Sequence, residues 1–125
     1  MRRELSILAL LIFVQGCSFP CEDTVKTELE SPDGQHIVTI FERDCGATTD
    51  FSTVVSLRPR SSSFSGDTGR IFVAKGRPSI RATWDGPGSL RIECPECWPP
   101  EEQRSRDIVF RQESSWRSIK IVYSH

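Results

Sequence analysis

The chain has 125 residues, 16 basic and 17 acidic side chains, a formal net charge of −1 and five cysteines. Near-neutral charge with scattered arginines leaves no basic stripe of the kind that binds nucleic acid. There is no Asn, which excludes N-glycosylation, and the length suits one domain with a thin core.

Arg2 and Arg3 make a positive start, and Leu5 to Val14 is apolar apart from Ser6. A charged start, a short apolar run and small residues at its end describe a cleaved secretory signal. Ten such residues rise about 15 Å as a helix, roughly half the hydrocarbon thickness, so the run is a poor permanent anchor. Val14-Gln15-Gly16-Cys17 resembles the bacterial lipobox, with Gln15 departing from its usual small or aliphatic residue. The resemblance implies that Cys17 is lipidated on sulfur, becomes the new N-terminus and is acylated there. Ordinary secretion, with Cys17 a thiol, is the alternative. Ser18 rather than Asp after Cys17 leans toward the outer membrane in a Gram-negative cell. The expected organisation is a signal peptide over 1–16, a lipidated tether over 17–24 and one domain over 25–125. Without the leader, 109 residues remain, with 14 basic and 16 acidic groups, eleven of the basic ones arginine.

Val25, Thr27 and Leu29 alternate with charged residues, the period of a half-buried strand. Ser31-Pro32-Asp33-Gly34 has strong turn chemistry, since Pro32 presets φ and Gly34 tolerates the left-handed region. Gln35 to Arg43 returns as the second strand of a hairpin. Asp44 to Asp50 is a polar connection, and Phe51 to Leu57 alternates again. Pro59 to Arg70 is rich in Ser and Gly and predicts an exposed, mobile loop. Ile71 to Ala74 suits a strand covered on both faces. Ile80, Ala82 and Trp84, the Asp85-Gly86-Pro87-Gly88 turn, and Leu90, Ile92 and Cys94 predict a second hairpin. Pro95 to Arg106 is loop, and Ile108–Arg111 with Arg117–Tyr123 form a last pair. Helical periodicity is lacking throughout, so eight short strands predict an all-β fold, an antiparallel sandwich or a partly open barrel.

Ser-Pro-Asp-Gly at 31–34, Phe41-Glu42-Arg43-Asp44-Cys45-Gly46-Ala47-Thr48-Thr49 and Phe51-Ser52-Thr53 together carry a family likeness. From about Cys21 to Leu57 the chain resembles an uncharacterised family of small bacterial lipoproteins and secreted domains. The resemblance supports address and fold and implies no activity.

Setting Cys17 aside, Cys21, Cys45, Cys94 and Cys97 are an even set in an exported chain, which reads as two disulfides with three possible connectivities. Cys21–Cys45 with Cys94–Cys97 is favoured, because an antiparallel hairpin brings its two flanking cysteines to one end. Cys94-Pro95-Glu96-Cys97 also resembles a redox-active pair, and a thiol–disulfide exchanger is the alternative activity. Trp98-Pro99-Pro100 behind it disfavours the helix such pairs usually open, and a four-cysteine zinc site would need a second close pair. His36 is the only internal histidine and reads as an exposed turn residue, although Ser31, Asp33 or Asp44 could lie beside it. Asp44 and Asp50 flank Thr48 and Thr49 in a loop that could take a cation or satisfy its own backbone. Gly66-Asp67-Thr68-Gly69 lacks the lysine of a phosphate loop. Trp84 reads as core, and Trp98, beside prolines, as an exposed partner contact. The sequence thus predicts a non-enzymatic binding or assembly module of the bacterial envelope. It would face the periplasm, carry no metal and no cofactor beyond the lipid on Cys17, and meet membrane lipid and an envelope protein or polymer. Pro59–Arg70 and Pro95–Arg106 are the expected contact loops.

Overall fold

The computed structural model describes residues 21–46, 49–98 and 108–124. Cys17, the leader, most of the tether, Thr48 and the segment 99–107 lie outside the described residues. Nine strands follow in order: β1 (Glu22–Glu30), β2 (His36–Asp44), β3 (Ser52–Pro59), β4 (Arg70–Lys75), β5 (Arg81–Trp84), β6 (Ser89–Glu93), β7 (Val109–Gln112), β8 (Ser115–Trp116) and β9 (Ile119–Ser124). They form a five-stranded sheet, β1-β2-β3-β4-β7, and a four-stranded sheet, β5-β6-β9-β8. The protein is an all-β sandwich rather than a closed barrel. Among the described residues no helix is long and apolar enough to cross a membrane.

Both expected hairpins form. Glu22 to Glu30 pairs antiparallel with Ile37 to Asp44, and Arg81 to Trp84 with Leu90 to Glu93. The last pair does not. β7 adds to β4 at the edge of the larger sheet, whereas β9 crosses to the other sheet and runs parallel to β6. Only the two-residue β8 hairpins onto β9. Ile119 and Ile121 explain the crossing: beside Leu90 and Ile92 they join the core between the sheets. Val38, Ile40, Val55, Leu57, Phe72 and Ala74 meet them from the larger sheet.

β1 is also not the half-buried strand expected. A bulge between Val25 and Thr27 shifts its register, which puts Val25 opposite Phe41 and Leu29 opposite Val38. Phe41 and Val38 lie on opposite faces of β2, so the bulge splits residues that a regular strand would align. Both stay at the sheet edge, Val25 43 % and Leu29 38 % exposed. Charged residues on either side of them suit an edge that must not recruit another strand.

The Pro59–Arg70 segment is the largest departure. Most of it is exposed, yet it folds over the outer face of the larger sheet. Phe64 packs edge-on against Phe41, ring centroids 5.1 Å apart. Asp67 meets Arg43 at 3.0 Å, and Arg43 also holds Asp23 through two bonds of 2.8 and 2.9 Å. Gly66 is buried against that ion pair, where a Cβ would strike Asp23. At the other end of the segment Gly69 has φ +66°, and its carbonyl accepts the Leu57 amide at 2.9 Å. A Cβ there would run into the Leu57 backbone.

Gly69→Ala should therefore lower the unfolding free energy by about 2–3 kcal/mol, combining a left-handed backbone with a rigid clash. Gly76→Ala (φ +80°, open space around its Cβ) should cost about 1–2 kcal/mol. Urea denaturation of the two variants checks the ordering.

Candidate functional site: the end of the sandwich opposite Cys21

Cys21 and Cys45 are joined, as are Cys94 and Cys97. The first bond lies where β1 begins and β2 ends, so the chain enters the sandwich at that end. The second closes a short ring with both cysteines inside the core, 0 % and 3 % exposed. Trp98, expected to be exposed, is half-buried instead: its ring lies 5.9 Å from both Phe72 and Tyr123. Tyr123 in turn donates its hydroxyl to the Glu113 carbonyl at 2.7 Å, and burial pushes its ionisation above the ordinary range. These aromatic rings join the sheets. Trp84 is half-buried at the core margin, and its indole N–H donates to the Leu29 carbonyl at 3.2 Å, tying the smaller sheet to the β1 edge.

The polar loop near Cys45 uses its groups locally. Asp44 accepts the Gly46 amide at 3.0 Å, Thr49 bonds the Gly46 carbonyl, and Asp50 meets Lys75 at 3.0 Å. Arg77 stacks on Phe51 at 3.7 Å. Among the described residues no three His, Cys, Asp or Glu side chains converge as a metal site requires.

At the opposite end three connections meet. The β1–β2 turn is closed by the Ser31 amide donating to the His36 carbonyl at 2.8 Å and the His36 amide donating to the Ser31 hydroxyl at 3.0 Å. The Arg60 amide donates to the Gln35 carbonyl at 2.9 Å. His36 stands opposite Pro59 in the sheet register, and its imidazole meets Trp116 of β8 edge-to-face at 5.7 Å. His36 Nδ1 is buried with no hydrogen-bond partner among the described residues. Arg117, with φ 51°, lays its guanidinium 4.5 Å over Trp116. Between the turn and the start of the Ser-rich loop lies a groove of ≈ 580 Å³, walled by Asp33 to His36 and Pro59 to Ser61. A crevice of ≈ 190 Å³ on the other side of Pro59 is bounded by Ser62, Ser63, Thr68, Trp116 and Arg117.

The groove's groups are held in place. Asp33 Oδ1 accepts the Ser31 hydroxyl at 2.6 Å and the Gln35 amide at 3.2 Å. These bonds, the Ser31 hydroxyl first, hold its carboxyl below the ordinary carboxylate range. Arg60 Nε meets Glu30 at 2.8 Å, and Arg58 bridges Glu28 at 3.1 Å and the Ser62 carbonyl at 2.8 Å. Sequence reasoning brought His36 and Asp33 together but missed Arg60, Trp116 and Arg117. Only the β2–β3 register and the crossing of β9 bring those three to the turn.

No protein-family model, curated protein or solved structure matches the chain. A functional reading therefore rests on the geometry and the sequence.

Ser31→Ala removes the main bond that favours the Asp33 carboxylate, so the Asp33 midpoint in a side-chain NMR titration should move up toward the ordinary value. The Asp33 pKa is depressed in the fold, so its contribution is present at neutral pH and lost as pH falls through that midpoint. The variant should shorten the window at its acid end.

Proposed function

We propose that the protein is a lipid-anchored module of the bacterial envelope, without enzymatic activity, that binds an envelope protein or polymer through the end of the sandwich remote from its anchor. The observation that carries this reading is the Cys21–Cys45 bond at the start of β1. Cys21 lies four residues on from Cys17, a reach of at most about 14 Å. The disulfide stops the tether from peeling β1 off the sheet, so the anchored end of the domain stays close to lipid. β1 then runs about 30 Å away from it over nine residues, ending at the Ser31–Gln35 turn. In this reading the groove faces outward, and the mechanism is positional: lipid concentrates the domain at a surface and the rigid sheets hold the turns. Exported disulfides fit the same compartment.

The alternative, thiol–disulfide exchange at Cys94 and Cys97, is disfavoured by their burial. An attacking thiolate must reach a sulfur in line, and both cysteines are enclosed by the core.

The test is the intact mass of the full chain from its host membrane, alkylated with and without reductant. Expected is a chain that begins at Cys17, carries acyl mass and gains no alkyl groups without reductant. A chain lacking acyl mass overturns the anchor, and native labelling of Cys94 or Cys97 puts the exchanger first. Orientation has its own readout. A fluorophore on Thr24→Cys should be quenched by nitroxide-labelled lipid in the membrane-bound protein, and one on Ser61→Cys should not; equal quenching overturns the outward groove.

A further inference from the structure

We propose that the groove between the β1–β2 turn and Pro59–Ser61 binds a neutral, hydroxyl-rich glycan segment; this names a ligand class for the outward end and rests on that reading. The groove's volume falls in the range of small-molecule sites. Its chemistry separates the ligand classes. Among the described residues that line it Pro59 is the one apolar residue, which offers little to the aromatic or aliphatic anchor that fixes a peptide. The Asp33 carboxylate lies in the wall itself, and the nearest arginine, Arg60, is already paired with Glu30. An anionic polymer would therefore meet a negative group and a cation already paired with Glu30. A metal ion would find one carboxylate and no second acidic ligand in the wall.

What remains is a set of hydrogen-bond donors and acceptors around a carboxylate held by its own turn. Asp33 has Oδ1 engaged by its own turn, which locks the carboxylate and leaves Oδ2 to accept from a ligand hydroxyl. Arg60 meets Glu30 through Nε, which leaves its two terminal nitrogens to donate to a neighbouring hydroxyl oxygen. Gln35 offers both an acceptor and donors, and Ser61 a hydroxyl. Adjacent hydroxyls on a sugar ring each donate and accept, and so pair with a carboxylate and a guanidinium side by side. Asp33 is already ordered by its own turn, so its part in binding adds little entropic cost.

The experiment titrates the full chain in detergent micelles with chitotetraose, an uncharged oligosaccharide, followed by calorimetry and amide chemical shifts. Saturable binding is expected, with shifts confined to residues 33–36 and 59–61. Gln35→Ala and Arg60→Ala should each weaken it roughly tenfold, the loss expected for one hydrogen bond to a charged or bidentate partner. Both side chains are exposed, so both variants keep the fold. Arg77→Ala, at the other end, should bind as the parent does. Absence of binding, binding that both groove variants retain, or displacement of the shifts to polyphosphate or polyglutamate instead of the glycan overturns the assignment. The lipid-quenching measurement uses no glycan. A null titration with Ser61 remote from lipid therefore removes the glycan alone, whereas quenching at Ser61 removes the outward reading on which it rests.

Discussion

Two sheets of this size cannot by themselves bury the β2–β3 pair, and the cover placed on its outer face is the constraint on which the structure depends. The inner face of that pair meets the smaller sheet through Val38, Ile40, Val55 and Leu57. The outer face carries Phe41, Val54, Thr39 and Ser56, and these are equally buried. Burial there comes from one loop and from charged arms. Phe64 caps Phe41, while Glu28 and Arg58 reach across Thr39. Arg43 fastens the loop by holding Asp23 and Asp67 at once, and its guanidinium is held even more firmly in the charged form than usual by Asp23. An aromatic pair of this geometry adds about 0.5–1.5 kcal/mol beyond its area. Removing one partner of a largely buried ion pair costs about 3–5 kcal/mol, because it strands the other. The loop is thus a third layer over the centre of the larger sheet.

The same device links the fold to its two ends. Asp23 lies two residues beyond Cys21, so the disulfide and the Arg43 bridge hold the first residues of β1 in place together. Constraining the open chain over a loop of this length contributes about 3 kcal/mol on the chain-entropy model. At the remote end, the Gly69 carbonyl and the Arg58–Ser62 bond hold the loop's base beside the β1–β2 turn. The groove is therefore built from backbone that the fold has already ordered for packing. A surface assembled this way rests on the fold without needing a core of its own.

Much of this was legible in the chain. Alternation, Ser-Pro-Asp-Gly and Asp-Gly-Pro-Gly specified two hairpins and an all-β class, because side-chain period and turn preference are local properties of the backbone. The favoured cysteine pairing followed from hairpin topology alone. The site was less legible: the sequence marked His36 and Asp33 near a turn, and nothing local connected them to Arg60, Trp116 or Arg117. Trp98 looked exposed beside its prolines, but Phe72 and Tyr123, distant in sequence, give its ring a half-buried seat.

By itself, then, the sequence determined the two hairpins, their turns, the two cysteine pairs and the near-neutral charge. Each of these depends on near neighbours or on totals. Tertiary structure alone decided that a bulge divides Val25 from Leu29, that β9 leaves β7 to run parallel with β6, and that a Ser/Gly-rich loop becomes a cover rather than a free tip. The physical reason is common to all three. A strand's partner and a loop's resting place are set by which apolar faces remain open once the local elements exist, and that competition is settled only across the whole chain.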